Sequence, residues 1–413
     1  MKKHINLLQN LLIPLLSASA LFLFIRQQTE NPLATILLSG QTTANTGDTA
    51  EGSLLSVESV VRIAVSGAYG RYGDLHMTST SDGFAGIRNL LQEALGSAGA
   101  PSACTQQDFR SALDSVSLYC DWTTPLPLPV VAGIIGASSP AEELAVRRMV
   151  LSSDQNSVVL YLTDDHTYLR CTTKVSAESL LNFISGTQMD AVAFAYELDS
   201  PSATPYSLFH TGELRNYPLL NSSAAAQPAD PLLSALGFNP NTNSRYTESN
   251  GTEVVRDGER TLRIEPDSTL LYDSGGTYLP ELSIPFSGET VSVEDAVLCA
   301  ARTLNQLILN NDAALYPKAV QSTPDGWVVT FDYQVDGVLL RLSSGEPAAR
   351  VEVNSSGISG FSIRLRRYTV SDENSLLLPL LQAMGIASGG ERGELSICYV
   401  DSGSTVAAAW LEE

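Results

Sequence analysis

Lys2 and Lys3 stand before residues 5–25, a run of 21 residues without one charged side chain, and Arg26 closes it. At a 1.5 Å rise per residue such a run matches a hydrocarbon core of roughly 30 Å, which predicts a cytoplasmic tail and transmembrane anchor over residues 1–27. A cleavable signal peptide is the competing reading, because Ala18-Ser19-Ala20 has the small-residue form of a cleavage site. Leu21, Phe22, Leu23, Phe24 and Ile25 continue the apolar run beyond that point, where a signal's hydrophobic region has ended, and this favours an uncleaved anchor. Two lysines and the amino terminus ahead of the span, against one arginine behind it, predict a single-pass protein of the cell membrane with a cytoplasmic N-terminus and an extracytoplasmic body. Asn6, Gln9, Asn10 and Pro14 make the span polar for a lone tether. They suit contact with another transmembrane helix, and both roles, tether alone or tether with an interaction surface, stay open.

Charge reinforces the division. The chain holds 24 Lys and Arg against 45 Asp and Glu; setting aside the three basic residues near the span leaves 21 against 45, a net of -24 for the body. That excess repels phosphate backbones, so nucleic acid is excluded as a partner. Cys104, Cys120, Cys171, Cys299 and Cys398 include no C-x-x-C pair, which argues against a zinc or thioredoxin-type motif. A Cys104–Cys120 bridge is open to an oxidising envelope, but buried free thiols are the favoured reading.

Turn dipeptides and hydrophobic periods divide the remainder. Residues 28–55 read as a polar linker, 56–204 as a first α/β unit, 205–285 as a β-meander with a short helix, and 286–413 as a helix packed on an antiparallel sheet. The class expected is α+β, with about three mixed units after the span. In the first unit Asp82 heads a helix through Leu95, a strand over 116–122 is stopped by Pro125, Pro127 and Pro129, and Ser139-Pro140-Ala141-Glu142 has the form of a helix start. In the third, Val297, Ala300, Ala301, Leu304, Leu307 and Ile308 form a helical stripe. A strongly alternating strand over 327–333 turns at Asp336-Gly337, and a last helix is expected near 375–384.

The inventory for catalysis is thin. His4, His76, His166 and His210 stand in no metal-binding spacing, and no nucleophile elbow or phosphate loop occurs, so no catalytic residue, no metal and no cofactor is expected, and the chain reads as a non-enzyme. Two Asp-Ser-Gly segments, at Asp273 and Asp401, invite an aspartic-peptidase reading, but the same tripeptide is ordinary turn chemistry and Asp401 leaves too little chain after it to seat such a carboxylate. Trp122, Trp327 and Trp410, with Tyr119, Tyr333 and Phe331, read as core and cross-strand packing rather than a carbohydrate-stacking face. Arg364, Arg366 and Arg367 form the one basic cluster of an acidic body: a solvated strand face, or an ectodomain docking contact for an acidic partner.

Several segments in order resemble the YycH/YycI family of membrane-anchored regulators. Residues 117–135, with Ser-Leu-Tyr-Cys-Asp-Trp-Thr-Thr-Pro-Leu-Pro-Leu-Pro, resemble a strand of the YycH first domain; residues 236–272, with Gly-Phe-Asn-Pro, Asn250-Gly251-Thr252, Leu262-Arg263-Ile264 and Leu271-Tyr272, are similar to a segment shared by both members; residues 325–337 are similar to their C-terminal hairpin. The chain departs from the family in being Ala/Ser-rich and in its five cysteines. The resemblance implies a three-domain ectodomain and control of a cell-wall-related two-component sensor histidine kinase of the WalK type, through transmembrane-helix and ectodomain contacts, beside a YycI-like or YycH-like paralogue. An anchored accessory module that binds cell-wall glycan through its aromatic residues is the alternative.

Overall fold

The computed structural model describes residues 53–141, 144–154, 157–198, 204–224, 229–239, 241–276, 290–308, 311–387 and 393–412. The chain divides into units Met1–Thr49 and Ala50–Glu413, and the second is the subject below. The proposed anchor, with Asn6, Gln9, Asn10 and Pro14, lies outside the described residues. Among those described, no helix is long and apolar enough to cross a membrane.

The unit is mixed α+β with mostly antiparallel sheets. Its first sheet comprises β1 (Val60–Gly67), β2 (Gly70–Thr78), β3 (Ser102–Ala103), β4 (Ser117–Pro127), β5 (Ala145–Asp154), β6 (Ser157–Thr163), β7 (Tyr168–Ser176), β8 (Asp190–Phe194) and β9 (Leu208–His210), ordered β3-β7-β6-β5-β4-β1-β2-β8-β9. Helices α1 (Ala85–Gly96), α2 (Gln106–Leu113), α3 (Leu128–Ile135) and α4 (Ala177–Gly186) lie between these strands in sequence. In α1, Ile87, Leu90, Leu91, Ala94 and Leu95 recur at helical spacing and are the buried face, as the period predicts; Asp82 falls in a 3-10 turn just before it.

The second sheet takes β10 (Pro218–Ala224), then, after α5 (Ala229–Ala235), the meander β11 (Ser244–Thr247), β12 (Glu253–Asp257), β13 (Arg260–Ile264) and β14 (Thr269–Asp273). After α6 (Val293–Leu307) come β15 (Ala314–Thr323), β16 (Gly326–Val335), β17 (Val338–Leu342), β18 (Ala349–Asn354), β19 (Gly357–Arg364) and β20 (Arg366–Asn374). Helix α7 (Leu380–Ala387) precedes β21 (Leu395–Asp401) and β22 (Thr405–Glu412). The order is β11-β12-β13-β14-β19-β18-β16-β17-β21-β22-β10-β20, with β15 on β16. Because β14 pairs with β19, the meander and the strands after α6 share one sheet. Helix α6 lays its apolar stripe on β15, β16, β18 and β19 and also meets α3, so one hydrophobic core serves both sheets.

Two local expectations are corrected. No helix follows Ser139: its hydroxyl donates to the Ala141 carbonyl, and residues 145–154 are β5, where Val146, Met149, Val150 and Leu151 are buried against β4 and β6. Sheet pairing outweighs a local cap whose Glu142 lies outside the described residues. Strand β4 also runs through Pro125 to Pro127 by way of an irregularity between Asp121 and Leu126, where Thr123 takes a positive φ of 66°. The bulge takes Pro125 out of the ladder, while Pro127 pairs with Ala145 at the end of the strand.

Candidate interaction site

The predicted basic cluster is divided by its strands. Arg364 ends β19, and Arg366 and Arg367 begin β20, with buried Leu365 between. Arg364 donates to Ser344 Oγ at 2.7 Å and pairs with Glu346. Arg366 turns inward to Asp401: its Nε and Nη2 reach Oδ2 and Oδ1, each at 3.1 Å, and Nη2 also donates to Ser222 Oγ at 2.6 Å. Alternation sends Arg367 to the opposite face, where it is exposed. Arg364 and Arg366 therefore line one polar groove of about 170 Å³ with Thr269, Ser343, Ser344 and Gly403, and Arg367 stands apart from it.

Asp401 is the centre of that arrangement. It also accepts from Ser222 Oγ and Tyr368 Oη, each at 2.9 Å, and from Gly403 N at 2.8 Å; Asp273 caps its own turn through Gly275 N at 2.8 Å. Both Asp-Ser-Gly segments are Asx turns with positive-φ glycines. Burial, then the Asp401 carboxylate, holds the Tyr368 phenol well above its ordinary value, so it remains a donor. Asp401→Asn keeps the shape but takes a charged acceptor from Arg366, and we expect it to cost about 2 kcal/mol of stability, read from urea unfolding.

A larger charged cluster, which the sequence did not single out, lies where the sheets meet. Arg62 of β1 and Arg147 and Arg148 of β5 converge on Glu394, the residue before β21: Arg62 Nη1 is 2.5 Å from Oε1, Arg148 Nη2 is 2.7 Å from Oε2, and Arg147 Nη2 also donates to Oε2. Asp121 of β4 stands behind, 3.2 Å from Arg147 Nε and 3.6 Å from Arg148 Nε, and Asp165 pairs with Arg147 and Arg148. Three guanidiniums meet three carboxylates, so the cluster is neutral. Burial alone raises the Asp121 carboxyl, but Arg147, Arg148 and Arg62 more than offset it and hold the group well below the usual carboxylate range. Tyr119 accepts from Arg148 Nε at 2.9 Å and donates to the Tyr206 carbonyl at 3.2 Å. The available sequence signal was a lone charge inside an apolar run, Arg62 after Val60-Val61 and Asp121 between Cys120 and Trp122.

Beside this cluster His76 Nε2 lies 2.9 Å from Tyr217 Oη, and the His76 and His210 rings are 6.2 Å apart. Burial, then Arg215, His210 and Arg62, push the His76 imidazole well below its ordinary value, so it is neutral at pH 7. His166 is exposed, and His4 lies outside the described residues. Among the described residues no group of three or more His, Cys, Asp or Glu is placed to hold a metal ion. Cys104 is half-buried and the other four cysteines are buried, and Cys104 and Cys120 are not bridged. Trp122 is buried against Phe84, Trp327 donates to the Val291 carbonyl, and Trp410 lines an apolar groove.

No family model matches the chain, and no curated protein matches it. A solved structure of an uncharacterized protein from Eubacterium rectale aligns over 47% of this chain and 75% of its own, at 16% identity and a TM-score of 0.30. That overlap is too loose to carry an argument.

Proposed function

We propose that the chain is a membrane-anchored, non-catalytic regulator of a cell-wall-related sensor histidine kinase of the WalK type, working beside a YycI-like or YycH-like paralogue, with its N-terminus cytoplasmic and its body outside. The observation that carries the reading is the uncharged run 5–25 between Lys2-Lys3 and Arg26, followed by a body of net charge -24. The order of segments similar to YycH and YycI names the kinase class and gives an ectodomain of about three units. Support from chemistry is that the buried carboxylates Asp121, Glu394 and Asp401 are each engaged by arginine. Carboxylates so paired have their charge compensated in place, as buried ion pairs of a folded core require.

The reading places contact with the kinase in Asn6, Gln9 and Asn10 of the span. Replacing all three with leucine is expected to change kinase output, measured on a reporter promoter, by at least twofold in either direction. Co-purification of the kinase from membranes should fall with the same substitutions. Unchanged output both in that variant and after deletion of the ectodomain overturns the proposal.

A further inference from the structure

Between Asn374 and Glu391 the sequence carries no charged side chain. Its helical period would run from Ser375, but Pro379 delays the helix, and the leucines before it form an exposed arm instead. Leu376 is 100% exposed, Leu381 79% and Ile386 72%. Leu376 and Ile386, with Leu378 and Trp410, wall a groove of about 480 Å³, floored by the small residues Ala383, Ala387, Ala408 and Ala409. Its volume falls in the range of roughly 300–1,000 Å³ typical of binding clefts.

Part of the backbone beside the groove is already engaged. Ala408 N donates to Ser375 Oγ at 2.9 Å, and the Trp410 indole donates to the Leu378 carbonyl at 2.9 Å. What is open is side chain, the surface into which an amphipathic helix lays its leucines. Among the described residues the charges placed at it are acidic: Glu412 lines the groove, and exposed Asp372 and Glu373 lie on the strand that leads into it. None of the groove's lining residues is basic.

We propose that this groove between α7 and β22 binds an amphipathic, cationic helix of a partner protein, apolar residues in the groove and Lys or Arg against Asp372, Glu373 and Glu412. The acidic rim disfavours a second copy of this chain, whose net charge is -21, and anionic lipid for the same reason. The proposal goes beyond the anchored-regulator reading and stands without it, since neither the span nor a kinase enters the argument.

The test titrates the full chain, held in zwitterionic-lipid nanodiscs with empty discs as background, with a Leu/Lys amphipathic peptide of about 18 residues, long enough to form a helix. Its Leu/Glu counterpart and a scrambled Leu/Lys peptide are the comparisons. The Leu/Lys peptide is expected to bind at least tenfold tighter than either. Leu376→Asp and Ile386→Asp, at lining positions too exposed to threaten folding, should each weaken it tenfold or more, while Leu181→Asp, at an exposed leucine of α4, leaves it unchanged. The proposal is overturned by equal binding of the Leu/Glu peptide or by unaltered binding to both groove variants. It is also overturned by self-association, anionic-vesicle binding or peptidoglycan retention that the groove substitutions abolish while the peptide does not bind.

Discussion

Glu394→Ala is expected to lower the unfolding free energy by about 3–5 kcal/mol, because removing one partner of a buried ion cluster leaves the opposite charge without compensation. The substitution leaves Arg62, Arg147 and Arg148 with two carboxylates, and Arg62 and Arg148, both almost wholly buried, cannot turn to solvent. Glu394→Gln retains the hydrogen-bond acceptor without the charge and should fall between the wild type and alanine. Urea unfolding at pH 7 measures all three; a loss below about 1 kcal/mol for alanine would mean that the pairs are no better than surface ion pairs. The same cluster sets a pH dependence. Asp121 has a folded pKa below its unfolded value, so its contribution is complete above the unfolded carboxylate range and is lost as pH falls from about 4. The wild type should therefore destabilise steeply below pH 4, and Asp121→Asn, already weaker at neutral pH, should show a shallower acid slope.

The contrast between Glu394 and the elements around it marks what local sequence conveys. The α6 stripe, the β16–β17 hairpin with Asp336-Gly337 and the cap at Ser176 of α4 are written in spacings of a few residues, and the structure has them. Ser139-Pro140 is a sound helix start in isolation, yet β5 follows it, because the two neighbours that make it a strand are set by tertiary pairing. The parallel pairing of β17 with β21 joins residues about sixty positions apart, for which no local period exists. Glu394 meets its arginines across separations of 246 and 332 residues, so Arg62 and Asp121 could be marked as charges needing partners while the partner itself stayed hidden. At the basic cluster, proximity in sequence misled in the opposite sense: strand alternation and the attraction of Asp401 separate Arg366 from Arg367.

Gly337→Ala tests the other joint between the sheets. Gly337 sits at φ +75° in the turn between β16 and β17, and a β-carbon there would overlap the backbone carbonyl of His76 on β2. A clash with backbone cannot be relieved by a side-chain rotation. The turn is fixed on its other side as well: Gly337 N donates to Gln334 Oε1 at 2.7 Å, and Gln334 Nε2 donates to Glu58 Oε1 at 2.7 Å. Left-handed strain of about 1–2 kcal/mol and overpacking of about 1–3 kcal/mol together give an expected loss of about 2–5 kcal/mol. Gly345→Ala supplies the reference, since Gly345 has φ +73° and no atom within 4 Å of its would-be β-carbon, so the backbone strain alone of about 1–2 kcal/mol applies. The difference between the two variants in urea unfolding isolates the close approach of β2 to the β16–β17 turn, and faster amide exchange in β2 should accompany the larger loss. Equal losses at the two glycines would mean that the turn at Asp336-Gly337 does not seat on His76, and that the shared core and the Glu394 cluster join the sheets without it.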